Sequence, residues 1–175
     1  MRAQQINERL KALRDEVVKE SKDNLKRFKK NASGKLYESI KGEIKESNNE
    51  WEVIFTMLDY GYFQDKGVDG KRVKHGSEYS FKDKAPPPSA LDKWIVQRGL
   101  APRDKKGRFM TRKQQQFALS RFIYNNGIKR SLFFTKPWEQ AQKNAGKLLQ
   151  IALTKDVSIY MDEIITKRNR KYKKK

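Results

Sequence analysis

The chain has 175 residues, with 41 Lys and Arg against 21 Asp and Glu and a formal net charge of +20. It contains no cysteine, which excludes disulfides and thiolate metal sites, and no apolar run long enough to cross a bilayer, so no membrane partner is expected. Hydrophobic residues make up 36% and charged residues 35%, so the core is modest and part of the chain is expected to be peripheral or ordered by a partner.

Residues from about 3 to 30 read as an amphipathic helix, because Ile6, Leu10, Leu13, Val17, Leu25 and Phe28 recur at three- and four-residue steps. Its acid-containing start does not read as a secretory signal. Asn31-Ala32-Ser33-Gly34 is the expected stop. A hairpin follows. Leu36, Ile40 and Ile44 share one parity of a first strand, and Ser47-Asn48-Asn49-Glu50 has turn chemistry. Trp51, Val53, Phe55 and Met57 alternate along a second strand. The cluster Tyr60-Gly61-Tyr62-Phe63-Gln64-Asp65-Lys66-Gly67 then forms a short helical turn or bend against that sheet.

From Val68 to Pro88 the chain is rich in glycine, lysine and proline and reads as a long loop, with Tyr79 and Phe81 as the place for a small hairpin. Ser89 is the expected N-cap of a short helix, with Asp92 three residues on and Gly99 as its end. Ala101 to Met110 is a second basic loop. Thr111-x-x-Gln114 has the pattern of a capping box, and Asn125-Asn126-Gly127 closes the helix it opens. Thr135 and Pro137 start the last helix. Trp138, Ala141, Ala145, Leu148 and Ala152 keep helical spacing there, and Val157, Tyr160, Met161 and Ile164 continue it after a break near Thr154. The fold class is therefore α+β: an N-terminal amphipathic helix, a small antiparallel sheet and C-terminal helices. A single domain over 1–166 carries a loop-rich insertion at about 68–129, followed by a basic tail over 167–175.

No catalytic, cofactor-binding or metal-ligating residue is assigned. His75 is the one histidine, and no nucleophile motif accompanies it. Glu43-Ile44-Lys45 has the acid-x-lysine pattern of metal-dependent nucleases, with Asp59 and Asp65 as the candidates for the further carboxylate such a site requires. The basic clusters are the candidate contacts with a partner or nucleic acid. They are Lys71, Arg72 and Lys74; Arg103, Lys105, Lys106, Arg108 and Arg112; and, in the tail, Lys167, Arg168, Arg170 and Lys171. Lysine and arginine neutralise phosphates, and Tyr79, Phe81, Phe109 and Tyr172 interleave as rings that could stack on bases. Tyr60, Tyr62, Phe63, Phe134, Pro137 and Trp138 are the expected packing joints, since large rings beside a glycine or proline stop mark places where elements dock.

The order of these elements resembles the tail-completion and neck proteins of tailed phages, the minor tail components at the head–tail joint. The resemblance rests on the N-terminal helix, the Leu36-x-x-Ser39-Ile40 strand start, the tyrosine-rich turn ending in Asp65-Lys66-Gly67, and the Phe134–Pro137 opening of the last helix. It spans roughly residues 5 to 155, and the chain departs from it in the long segment Val68–Lys129 and in the lysine tail. It implies a virion structural protein without catalytic residues, made in the host cytoplasm. Such a protein assembles with itself into a six- or twelvefold ring around the DNA channel and meets adjacent portal, connector or tail proteins, with packaged DNA as a further contact. The alternative, drawn from the charge and the basic aromatic loops, is a non-sequence-specific nucleic-acid-binding protein of replication or packaging, in its enzymatic version a nuclease.

Overall fold

The computed structural model describes residues 3–30, 33–47, 50–104 and 106–173, with side chains to residue 168. Its frame is a pair of antiparallel helices, α1 (Gln4–Arg27) and α6 (Thr135–Lys173). The apolar stripe expected for α1 is buried at Ile6, Leu10, Val17 and Leu25. At one end of the pair the Asn24 side-chain amide donates to the Phe133 carbonyl at 3.1 Å. At the other, Asp156 of α6 accepts from the backbone N–H groups of Gln5 and Ile6, both at 3.1 Å. The first N–H groups of a helix have no partner within it, and Ala3 supplies no side-chain cap. The buried Asp156 carboxylate does this work from the neighbouring helix. Replacing Asp156 with alanine is expected to cost about 2 kcal/mol and to speed amide exchange in the first turn of α1, read by hydrogen exchange.

Helix α1 stops at Arg27, earlier than expected. Lys30 N–H bonds to the Leu25 carbonyl and Lys29 N–H to the Lys26 carbonyl, both at 3.0 Å, with Lys29 in the left-handed region at φ 52°. This is a Schellman stop with lysine in the position that glycine favours, which is why the sequence pattern placed the end later. Half of the expected stop, Asn31 and Ala32, lies outside the described residues.

The expected strand start is instead a helical turn, α2 (Lys35–Ser39). Leu36 and Ile40 are buried one turn apart rather than alternating along a strand, and their four-residue spacing fits that geometry. The Ser39 hydroxyl donates to the Leu36 carbonyl at 2.8 Å and accepts from Leu58 N–H at 3.1 Å, tying this turn to the end of the hairpin. Strands β1 (Lys41–Ser47) and β2 (Glu50–Thr56) pair antiparallel, with Gly42 opposite Phe55, Ile44 opposite Val53 and Glu46 opposite Trp51. Ile44, Trp51 and Val53 pack on Ile6, Leu10 and Ala152. Asn48 and Asn49 of the expected turn lie outside the described residues. A second cluster joins Leu25, Leu36, Ile40 and the fully buried Phe133.

After α3 (Tyr60–Lys66) the insertion leaves the frame and returns to the same place. Val68 and Ile128 exchange two backbone hydrogen bonds, of 2.8 and 2.7 Å. Between them lie a 3-10 turn (Pro88–Leu91), α4 (Asp92–Gln97) and α5 (Arg112–Asn126), which pack on one another. The insertion therefore holds more helix than a loop-rich segment, and its ends meet. The capping box at Thr111 and Gln114 forms as expected, and Gly99 and Gly127 follow the ends of α4 and α5. Two other expectations are corrected. Ser89 lies within the 3-10 turn, and α4 starts at Asp92 without a side-chain cap. Tyr79 and Phe81 form no hairpin of their own; Asp69 bonds to the Tyr79 carbonyl at 2.7 Å and accepts from Phe81 N–H at 2.9 Å.

Helix α6 is also unbroken through Thr154, whose hydroxyl donates to the Gln150 carbonyl one turn back, at 3.0 Å, and so stays within the helix. Its backbone continues to Lys173, through most of the expected tail. Among the described residues the chain has six α-helices and one two-stranded sheet, an α+β arrangement.

Candidate functional site

The joint between α3 and α6 is made by Gly61 and Asp65, one turn apart on the buried face of α3. A Cβ at Gly61 would come within 2.7 Å of the Leu36 side chain and 2.8 Å of Met57, so any larger residue would have to displace these two side chains for α3 to lie this close. Asp65 is 2% exposed. Its carboxylate accepts from the backbone N–H of Phe134 at 2.8 Å, from Thr135 N–H at 3.2 Å and from the Thr135 hydroxyl. It thus caps α6 from α3, and its negative charge lies at the positive end of the helix dipole.

The rings expected to form this joint divide into two groups. Phe134 and Trp138 do pack, each edge-on to Phe55 of β2 at 5.5 and 5.4 Å between centroids, and Pro137 is buried in the first turn of α6. Tyr60, Tyr62 and Phe63 do not bury; they keep 43%, 49% and 41% of their surface in solvent. A helix has room for one docking face, and in α3 Gly61 and Asp65 occupy it. Tyr62 and Phe63 meet Tyr79 of the insertion edge-on, at 6.2 and 5.0 Å. Together with Ile40, Phe55, Met57, Leu58 and Phe134 they line an open, mainly apolar groove of about 600 Å³, to which Thr56 and Asp59 also contribute.

Glycines form the neck of the insertion. Gly67 and Gly127 adopt nearly the same conformation, φ 77° and ψ −179° against φ 72° and ψ −166°, a region that side chains avoid. A Cβ on Gly127 would lie 2.2 Å from the Val68 carbonyl oxygen, and one on Gly70 would lie 2.3 Å from that of Asn125. His75 Nε2 is 2.7 Å from the Asn126 carbonyl, which can only accept, so this nitrogen carries the proton and the ring is a strut between loop and helix.

Three aspartates shape the insertion's loops. Asp69 accepts from His75 and Ser77 N–H, at 2.6 and 3.2 Å, and these bonds hold its carboxyl below the usual range. Asp104 accepts from Arg108 N–H at 2.9 Å and Lys106 N–H at 2.8 Å, with the same effect. Asp92 is lowered by the Arg112 guanidinium at 2.6 Å and then by Gln116. A depressed carboxyl stabilises the fold fully above its unfolded-state value and loses that contribution as pH falls through the folded value. The amides of Ser77 and Arg108 are therefore expected to exchange faster at about pH 3 than intrinsic chemistry allows for relative to about pH 6, read by NMR.

The candidate cations spread over this surface without converging. Lys71, Arg72, Lys74 and Lys106 are exposed. Arg103 stacks on Phe109 at 3.9 Å, Arg108 pairs with Asp104 at 3.0 Å and Arg112 with Asp92. Lys167 and Arg168 are exposed near the far end of α6. Lys105 lies outside the described residues, as do the side chains of Arg170, Lys171 and Tyr172. The insertion over 68–129 holds 15 Lys and Arg against 5 Asp and Glu, and residues 167–175 hold seven against none. The remainder is nearly balanced, at 19 against 16.

Of the two carboxylates that could complete the acid-x-lysine pattern, Asp65 is engaged beneath α6 and Asp59 is exposed just before α3, while Glu43 and Lys45 are exposed on the outward face of β1. Among the described residues no group of three or more histidine, aspartate or glutamate side chains could hold a metal ion. Comparison with protein families, with characterised proteins and with solved structures finds no match to this chain.

Proposed function

We propose that this chain is a structural subunit of a tailed-phage virion, placed in the tail or at the head–tail joint, and that it works by fitting against neighbouring subunits rather than by chemistry. The order of its elements resembles that of tail-completion and neck proteins. The observation that carries the reading is the pair of apolar surfaces left open at the two ends of the α1–α6 frame. The groove lies beside Phe134, and Val157, Tyr160, Met161 and Ile164 are exposed toward the other end of α6. Exposed apolar surface of this extent marks an interaction site. Neighbours in a closed ring would use two different faces, one on each side of the subunit. Disrupting the gene in its parent phage should leave heads and tails unjoined or tails incomplete in negative-stain images. Normal, infectious particles from the disrupted strain would refute it.

A second reading, nucleic-acid binding, is favoured by one observation: the insertion and the tail together hold 22 of the 41 basic residues and only 5 of the 21 acids. It predicts duplex binding whose affinity falls about tenfold or more from 50 to 200 mM salt, because each neutralised phosphate releases counterion. Binding that is weak and indifferent to salt would remove it.

A further inference from the structure

We infer that two copies of this chain join head to tail, the free end of α6 from one copy lying in the aromatic groove of the next. This deepens the virion reading and rests on it, since it names the partner of the open groove as the chain itself.

Helix α6 outruns its partner. Asp156 caps the N-terminus of α1, so the residues beyond it have passed the end of that helix. On this stretch Val157, Ile159, Tyr160, Met161, Ile164 and Ile165 are all exposed. Four of them, Val157, Tyr160, Met161 and Ile164, stand at positions i, i+3, i+4 and i+7, the anchor spacing of a helix that lies in an apolar groove, with Ile159 and Ile165 outside that stripe. The stripe of four is rotated roughly a quarter turn from the stripe of Leu149, Ala152 and Asp156 that meets the rest of the fold, given 100° per residue. It is thus an additional face, not the margin of the buried one.

The groove is at the opposite end. Phe134, at the start of α6, lines it, and Val157 lies about 35 Å further along the same helix, at 1.5 Å per residue. A continuous helix cannot fold back over that distance, so the tip cannot occupy its own groove. A second copy can supply it.

Charge favours the same partner. Residues 38–65, which include the hairpin and the groove wall, hold seven Asp and Glu against two Lys, in a chain of net charge +20. Asp65 is spent on α6, which leaves six carboxylates in this segment. Asp59 and Thr56 line the groove, and Thr56 lies on the outward hairpin face, where Glu43, Glu50 and Glu52 outnumber Lys41 and Lys45. The segment that follows the four apolar anchors, residues 167–175, holds seven Lys and Arg and no acid. The acidic part of one copy therefore meets the basic part of the next, and complementary charge fixes the direction of docking.

The test uses the full chain and two double variants. Met161→Glu with Ile164→Glu blocks the tip, and Leu58→Glu with Tyr62→Glu blocks the groove; all four positions are exposed, so the fold should survive, as circular dichroism would verify. Mass is followed by sedimentation at about 0.15 M salt up to the order of 100 μM. The wild type is expected to associate with rising concentration, and each variant alone to do so at least about tenfold more weakly. An equimolar mixture of the two variants should form a heterodimer and stop there, because one intact tip and one intact groove remain. A wild type that stays monomeric throughout overturns the inference. So does a groove variant that still associates, which would mean that the α6 tips pair with each other, and so does a mixture that stays monomeric. Any of these results alongside unjoined particles from the gene disruption would sink the contact and leave the virion reading standing.

Discussion

Replacing Asp65 with alanine is expected to lower stability by roughly 4 kcal/mol, among the largest effects of any single change in the chain. The carboxylate is buried and accepts three hydrogen bonds at the start of α6, two from backbone amides and one from the Thr135 hydroxyl. Two further backbone bonds run from Ser131 and Leu132 N–H to the Asp65 carbonyl, at 3.1 and 3.0 Å, and place the side chain. Alanine would leave the donors without an acceptor in a site closed to water, where unmet polar groups are costly. The damage should spread to the groove, because Phe134 and Trp138 dock on Phe55 only while the first turn of α6 is in place. Asp65→Asn keeps one acceptor oxygen and loses the charge at the helix end, so about half the effect is expected. Urea denaturation checks both, through a lower midpoint at an unchanged slope. A loss under about 1 kcal/mol for the alanine variant would show that water or another side chain replaces the cap.

Gly127→Ala should cost about 3 kcal/mol or more, and the loss should fall mainly on the insertion. Two causes add. The backbone at φ 72° and ψ −166° is one that L side chains rarely adopt. The new Cβ would also meet the Val68 carbonyl oxygen at 2.2 Å and the Gly70 amide nitrogen at 2.5 Å, and neither backbone atom can swing away as a side chain would. Relief requires opening the Val68–Ile128 bridge, the hinge by which the insertion is attached. Hydrogen exchange by mass spectrometry should report faster exchange over 68–128, with the α1–α6 pair little changed. Uniform loss across the chain would mean that the insertion and the frame unfold as one unit.

Helices α1 and α6, though not their pairing, the hairpin and the capping box of α5 were legible because each rests on local periodicity or a short-range hydrogen bond. The apolar steps of α1 and the alternation from Trp51 to Phe55 leave little choice of structure. What the pattern concealed depends on contacts between distant residues. Asp65 and Asp156 cap helices from 70 and 150 residues away along the chain, and no local spacing marks a carboxylate as a cap in trans. Leu36 and Ile40 fit a strand parity and a helical turn equally well, and the packing of both against Leu25 and Phe133 decided for the turn. Tyr60, Tyr62 and Phe63 misled because size suggests burial, whereas the small Gly61 between them makes the closer approach. The neck glycines were visible as residues but not as a pair, since nothing in the sequence shows that Val68 and Ile128 are neighbours.

The α6 tip was legible only in part. Its apolar spacing predicts a continued helix after a break near Thr154, and the structure keeps the helix unbroken and leaves those side chains exposed beyond the end of α1. A helix whose pattern outruns its partner supports the proposal that this chain works in an assembly.

The most direct test of that placement is quantitative mass spectrometry of purified, salt-washed particles of the parent phage. The predicted result is this chain at a fixed copy number per particle, a multiple of six for a six- or twelvefold ring. Its absence from washed particles, with the protein found only in the infected cell, would contradict the assignment.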